Sequence, residues 1–426
     1  MTEWNKRRRL NGEAGVSSSP ALPKLFPGDP SAPATEDDKK NWNGFCEIES
    51  EPAFFNVMLK NFGVKGVKVQ EVVSLDEELL AYVPRPVFGL IFLFKWREDD
   101  PDKQEPSCPE GVWFANQTVD NACASVALLN IVNNIPSADL GEHLQQFKEF
   151  TRTFTPALRG DAIGNFDFVK QIHNSFARKM DLLNGDLQLK NDASARKNHK
   201  VAKGEVDDSD AGYHFIAFVP IDGKVWKLDG LERQPQNLGP LGNDDWLNQA
   251  KPVIEARMAD YEEGQIEFAV LALAKDPLFT LVASLADNVM CLRALSARLG
   301  DIGSDSKDLQ ATLEQGTHSL ADGTLLGPDL SYDLSEEAIN QASVPLAAEQ
   351  KCRDLTVVDL LAYRQELESE QANLRRSIKE EQESVRSDEA RAASRRHDYG
   401  PMVQAWVRML ARKQALKPLI DETTGE

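Results

Sequence analysis

The chain has 426 residues, room for one large core plus an extension. Its 68 acidic and 48 basic residues leave a net charge of −20, which excludes nonspecific binding to DNA, RNA or acidic membranes and suits a basic protein partner. The five cysteines (Cys46, Cys108, Cys123, Cys291 and Cys352) are odd in number and contain no CxxC pair, so neither a disulfide framework nor a zinc site is indicated, and a reducing compartment is expected.

No apolar run approaches the roughly 18 residues of a membrane span, and residues 1–9 lack the apolar region of a signal peptide, so a soluble intracellular chain is expected. The basic residues at 6–9 read as a solvated tail more readily than as a nuclear import signal. Pro20, Pro23, Pro27, Pro30 and Pro33 stand among Ser, Ala and Gly, so residues 1–40 are expected to be a disordered tail with order starting near Trp42. Ser50 is placed to cap a helix with Pro52 in its first turn, burying Phe54, Phe55, Val57 and Met58 and ending at Gly63. Residues 67–73 alternate like a strand, and Ser74 to Glu77 has the form of a capping box for a short helix. The run Val87-Phe88-Gly89-Leu90-Ile91-Phe92-Leu93-Phe94 is apolar on both faces, which predicts a central strand covered by helices above and below. Residues 97–110 read as a surface loop.

The stretch Gln117-Thr118-Val119-Asp120-Asn121-Ala122-Cys123-Ala124-Ser125 precedes the apolar run 126–129. Asp120 or Asn121 is expected to cap a helix whose first turn holds Cys123, where unpaired N–H groups and the helix dipole favour a thiolate. That helix should end at the turn 133–136. Further helices are expected around Leu140 to Phe150 and Phe168 to Phe176, with a mobile loop at 151–164 between them. Residues 181–211 read as a flexible loop excursion. Residues 212–218 and 224–230 predict two strands of a hairpin across Pro220-Ile221-Asp222-Gly223, which would set His214 beside Asp229. Asp244 is expected to cap a helix through Trp246 and Ile254, and residues 265–273 to form a last strand.

After residue 275 the pattern changes. An amphipathic helix runs from Asp276, residues 301–350 suit a flexible linker, and Leu360, Leu367 and Leu374 recur every seven residues as a short coiled-coil seam. A final helix, 399–420, presents Met402, Val403, Trp406, Met409 and Leu410, an apolar face that needs a partner. His143, His173, His199, His318 and His397 have no paired ligand spacing, so no metal site or cofactor is expected. His173 is read as a packing residue.

Gln117, Cys123, His214 and Asp229, in that order, form the set of a papain-type thiol hydrolase. Cys123 would be the nucleophile, His214 the general base and acid, Asp229 the residue that orients the imidazole, and Gln117 the oxyanion stabiliser. The chain also resembles the ubiquitin carboxyl-terminal hydrolase family. The resemblance lies in Trp42, Glu47 to Pro52, Gly89 to Trp96, Gln117 to Cys123, Phe147 to Phe150, His173 to Arg178, His214-Phe215, Leu228 to Leu231 and Asp244 to Trp246. It covers roughly residues 41–275 and, for members with a helical extension, continues to about residue 420.

The resemblance implies an α+β, papain-like fold: a central antiparallel sheet flanked by helices, with a C-terminal helical or coiled-coil extension. It implies a tail at 1–40, a catalytic domain at 41–275, a helix and linker at 276–350, and an adaptor-binding extension at 351–426. It also implies hydrolysis at the C-terminal glycine of ubiquitin and ubiquitin conjugates, residues 151–164 as a crossover loop above the cleft, and residence in cytoplasm and nucleus. For the extension it implies docking on the adaptor domain of a proteasomal ubiquitin receptor. The alternative is a chromatin role beside a polycomb-type adaptor, which the short acidic C-terminus at 420–426 disfavours.

Overall fold

The apolar run at 87–94 becomes β2 (Val87–Lys95), in the interior of a six-stranded antiparallel sheet. The others are β1 (Val67–Glu71), β3 (Tyr213–Ile221), β4 (Lys224–Leu228), β5 (Gln236–Pro240) and β6 (Ala269–Lys275), in the order β1-β6-β2-β3-β4-β5. The computed structural model describes residues 32–417, apart from 98, 137, 199–211, 243–244, 262–267, 306–320 and 322.

The first helices are α1 (Glu36–Asn41), α2 (Pro52–Phe62), α3 (Glu77–Leu80) and α4 (Cys123–Val132). They are followed by α5 (Gly141–Phe150), α6 (Pro156–Gly164), α7 (Asp167–Asn174), α8 (Lys179–Asn198) and α9 (Leu247–Ala259). Alternation in β2 sends Leu90, Phe92 and Phe94 into a core shared with Trp246, Leu247, Ala250 and Ile254 at and within α9. α4 covers the other face at close range: a Cβ on Gly89 would lie 2.6 Å from the Ile131 side chain, so only glycine fits there. β3 and β4 are joined by the two-residue turn Asp222-Gly223, both at positive φ (48° and 73°), the Asp-Gly geometry that matches strand twist.

Several local expectations are corrected. Order reaches back before Trp42, because Thr35 and Asp38 form a capping box that starts α1; residues 1–31 lie outside those described. Glu51, not Ser50, stands at the N-cap of α2, whose end at Gly63 (φ 84°) is as expected. Ser74 bonds the Asp76 carboxylate instead of capping α3, where Asp76 takes the N-cap place. The connector expected at 151–164 contains α6, because Thr155 caps it and Pro156 is pre-set for its first turn. The loop expected from 181 is helical to 198, and its remainder lies outside the described residues. Asp244 lies outside them too, and Trp246 occupies the N-cap of α9. The last strand begins at Ala269; residues 265–267 are not described. β5 was not foreseen, because Gln-Asn-Leu-Gly-Pro carries neither alternation nor β-branched residues.

The extension folds as well. α10 (Pro277–Asp305) packs against α13 (Val357–Arg396), with α11 (Glu336–Gln341) and α12 (Leu346–Asp354) beside them. The span read as linker therefore contains two helices in its described part, which bury Ile339 and Ala348. Leu285, Val289, Leu292 and Leu295 of α10 are buried, as are Leu360, Leu367 and Ile378 of α13. Although Asp287, Asn288 and Arg293 interrupt it, the helix over 277–302 is long enough to cross a membrane and contains an 18-residue window with a mean hydropathy of 1.5. Here this length is a core helix. Gln371 sits fully buried in its seam, bonded to Asn288 at 3.1 Å and to the Leu325 carbonyl at 3.0 Å, a polar layer of the kind that sets register between packed helices.

α13 is also 40 residues long and continues onto α2 and β1. Asp388 accepts from Asn56 at 2.9 Å, Glu381 pairs with Lys68 at 2.7 Å, and Arg391 pairs with Glu51 at 2.8 Å. Residues 399–417 form a separate unit containing α14 (Gly400–Arg412), whose Met402, Val403, Trp406, Val407 and Met409 are exposed.

Candidate active site

α4 begins with Cys123 itself, which is partly exposed, whereas Ala124 to Val132 are all buried. Neither expected cap is used. Asn121 adopts a left-handed conformation (φ 60°) and Ala122 occupies the N-cap with no side-chain bond, so among the described residues no side chain caps the first-turn N–H groups.

His214 stands at the start of β3, opposite Phe94 of β2, and both it and Asp229 are buried. Asp229 directly follows β4. The hairpin therefore brings the two side chains together, with His214 Nε2 2.7 Å from Asp229 Oδ1. That bond occupies Nε2, which leaves Nδ1 as the ring nitrogen to serve Cys123, a residue whose thiol adds to the ring's affinity for a proton. Burial lowers the pKa of His214, but the bonds to Asp229 and Cys123 and their charges outweigh it and raise the value to about 9. Burial likewise opposes the Asp229 carboxylate, yet the His214 bond, the Lys227 charge and the Leu231 N–H hold its pKa below the ordinary carboxylate range.

Gln117 is brought to the same place by backbone. Its N–H donates to the Gly230 carbonyl at 2.8 Å, and a Cβ on Gly230 would come 3.1 Å from Gln117 and Val126, which explains the glycine after Asp229. Gln117 Oε1 is buried without a partner among the described residues. A carbonyl oxygen only accepts, so it is the Nε2 end of this amide that can donate to a negative charge that appears during reaction. Oxygen and nitrogen of such an amide are interchangeable by rotation, so the same position can present an N–H donor.

Two neighbours were missed at the level of sequence. Asn116 Nδ2 donates to the Glu232 carbonyl at 2.6 Å and so joins the segment before Gln117 to the loop after Asp229. Lys227, buried two residues before Asp229, bonds Asp99 at 2.7 Å and Glu232 at 2.8 Å. A lysine set between the buried Trp226 and Leu228 was the available clue to a buried ion-pair network.

A cleft of about 300 Å³ runs beside the segment between Gln117 and Cys123, lined by Trp42, Asn43, Phe45, Val119, Asn121 and Gly185. A larger hollow of about 800 Å³ between α2, α10 and α13 holds none of the four site residues. α6 packs directly on the Gln117 segment, since a Cβ on Gly160 would meet the Asn116 carbonyl oxygen at 2.1 Å. Among the described residues, no group of three or more His, Cys, Asp or Glu side chains is arranged to hold a metal ion.

Residues 45–259 match the model of ubiquitin carboxyl-terminal hydrolase, family 1. The chain is 32% identical over 383 residues to ubiquitin carboxyl-terminal hydrolase isozyme L5 of Dictyostelium discoideum, covering 90% of this chain and 96% of that one. It is 40% identical over 239 residues to ubiquitin carboxyl-terminal hydrolase ubh-4 of Caenorhabditis elegans, covering 55% of this chain and 67% of the relative. Among solved structures it is similar to the catalytic domain of Trichinella spiralis UCH37 bound to ubiquitin vinyl methyl ester, with 33% identity, 55% of this chain and 96% of that chain covered, and a TM-score of 0.45. The family match spans half of the chain and takes in the hairpin, α4 and the strands between them, so the protein belongs to the ubiquitin carboxyl-terminal hydrolase family of cysteine peptidases.

Proposed function

We propose that Cys123, His214, Asp229 and Gln117 carry out thiol hydrolysis at the C-terminal glycine of ubiquitin within a catalytic domain at 41–275. His214 takes the Cys123 proton and the sulfur attacks the glycine carbonyl carbon, placing the negative charge on its oxygen. Gln117 and the Cys123 backbone N–H donate to that oxygen, at about 2.7–4 kcal/mol of transition-state stabilisation per donor. The tetrahedral intermediate collapses to a thioester, and His214 returns the proton to the departing amine. A water deprotonated by His214 then releases the carboxylate and restores the thiol. Asp229 holds the imidazolium through both halves without itself taking the proton.

The observation that carries this reading is the buried His214 ring bonded by Asp229 at 2.7 Å, with Cys123 close enough to raise the ring's affinity for a proton. Turnover of a fluorogenic ubiquitin conjugate by the full chain tests it. Cys123→Ala is expected to bind the conjugate and release no fluorophore; turnover by that variant would remove Cys123 from the role.

For the extension, we propose an adaptor-docking function with the proteasome as the setting, in cytoplasm and nucleus. It is supported by the family's proteasome-associated members with a helical extension and by the exposed Met402, Val403, Trp406 and Met409 of α14. Affinity purification of the tagged chain tests it: proteasome subunits support the reading, whereas histones with a polycomb-type adaptor would replace it by the chromatin role.

A further inference from the structure

Behind Cys123 lies a set of buried polar side chains that the reaction itself does not use. Ser125, two residues beyond Cys123 on α4, and His173, in the last turn of α7, are both fully buried. Ser125 Oγ is 2.8 Å from His173 Nδ1, and His173 Nε2 is 2.7 Å from the Cys46 carbonyl oxygen. A carbonyl only accepts, so Nε2 carries the ring proton, Nδ1 presents its lone pair, and the Ser125 hydroxyl donates to it. Burial pushes the His173 pKa down to about 4, which keeps the ring in the neutral form that this chain of bonds needs. Asn174 completes the arrangement: its Oδ1 accepts the Cys46 N–H at 3.1 Å and its Nδ2 donates to the Gly44 carbonyl at 2.9 Å.

The nucleophile helix has a specific need for such a tether. Its N-cap residue, Ala122, makes no side-chain bond, so capping does not fix the orientation of the first turn. At a fully buried helical position alanine is the better helix former, and a hydroxyl with no partner there would be costly. Ser125 has one partner that reaches it from outside the helix, and that partner is anchored to the 44–46 segment, whose Gly44 and Phe45 line the cleft beside Gln117 to Cys123.

We infer that His173 is a positioning residue for the nucleophile: through Ser125 it ties the first turn of α4 to the 44–46 segment, and so sets where the Cys123 sulfur stands relative to His214. The inference rests on Cys123 being the nucleophile. His173 does not touch the reacting atoms and takes no proton from them.

The test measures kcat and KM with a fluorogenic ubiquitin conjugate, and the thermal midpoint, for Ser125→Ala and His173→Gln in the full chain. Ser125→Ala removes one hydroxyl and keeps a helix-forming side chain, so folding is retained. His173→Gln keeps an N–H for the Cys46 carbonyl and removes the imidazole acceptor. A displaced nucleophile is expected to lower kcat by about 10- to 100-fold in both variants, with KM unchanged. The midpoint of Ser125→Ala is expected to move by only about 2–4 °C. A parental kcat in Ser125→Ala overturns the inference, and so does a rise in KM with kcat unchanged. Comparison with Cys123→Ala separates the two readings. Turnover in that variant defeats the nucleophile assignment, whereas an inert Cys123→Ala beside a fully active Ser125→Ala defeats the tether alone.

Discussion

Arg395, in the last turn of α13, donates to the Asp181 carboxylate at 2.9 Å, and with this bond the end of the extension is fastened to α8 of the catalytic core. The same guanidinium reaches Glu49 at 2.8 Å, the Phe176 carbonyl at 3.0 Å and the Glu47 carbonyl at 3.4 Å, and only 7% of the side chain is exposed. Arg395→Ala removes a partner from the half-buried Asp181 carboxylate and Phe176 carbonyl and is expected to destabilise the chain by about 1–3 kcal/mol. Arg395→Lys cannot reproduce a fork that meets four acceptors and should recover only a part. Denaturant unfolding of the three proteins measures this; equal midpoints for parent and alanine variant would show that the contact contributes nothing.

Gly160 and Gly300 separate helix propensity from steric fit. Gly300 has open space where a Cβ would go, so Gly300→Ala is expected to be neutral or to stabilise by about 0.5–1 kcal/mol. At Gly160 the added carbon would stand 2.1 Å from the Asn116 carbonyl oxygen, a backbone atom one residue from Gln117. Repulsion there exceeds the propensity gain and must move α6 or the Gln117 segment. Gly160→Ala is expected to lose both thermal stability and kcat, and a variant as active as the parent would show that the two elements part freely.

The contrast between these two glycines also shows where sequence stops being informative. The apolar run 87–94, the Asp-Gly turn and the heptad leucines announce their structures, because each pattern is periodic or demands positive φ. The place of Cys123 at a helix start and of His214 beside Asp229 was legible because the helix start and the hairpin were. Composition misled where tertiary contacts decide the outcome. The small polar residues of α6 look mobile, yet Arg159 is buried and donates to the carbonyls of Val112, Phe114, Thr151 and Arg152. The span read as a linker contains helices because Ile339 and Ala348 find apolar partners on α10 and α13, over separations that a local pattern does not encode. His173 read as a packing residue, since neither Ser125 nor Cys46 is near it in sequence.

Gln117→Ala is expected to reduce kcat by roughly 10²–10³-fold if the amide serves the oxyanion. The stability cost should be small, because the buried amide oxygen has no partner to lose. Thermal midpoints and kcat measured side by side check the pairing of these two effects. A large fall in midpoint would mark Gln117 as structural, and an unchanged kcat would remove it from the oxyanion site.

The two buried histidines tilt the pH dependence in opposite senses. His214 has its folded pKa raised to about 9, so its contribution to stability is complete below the unfolded value near 6.5 and is lost as pH rises through about 9. His173 has its folded pKa lowered to about 4; the unfolded chain takes up a proton there first, and stability falls as pH drops from about 6.5 towards 4. For catalysis, the alkaline limb of kcat/KM is expected near pH 9, where the Cys123–His214 pair loses its shared proton. Asp229→Asn removes a carboxylate that favours the imidazolium, so the limb should move down in pH while some thiol chemistry survives. A pH profile of kcat/KM for both proteins decides the matter: a limb that stays in place in Asp229→Asn would mean that the 2.7 Å bond between His214 and Asp229 has no part in setting the proton affinity of the ring.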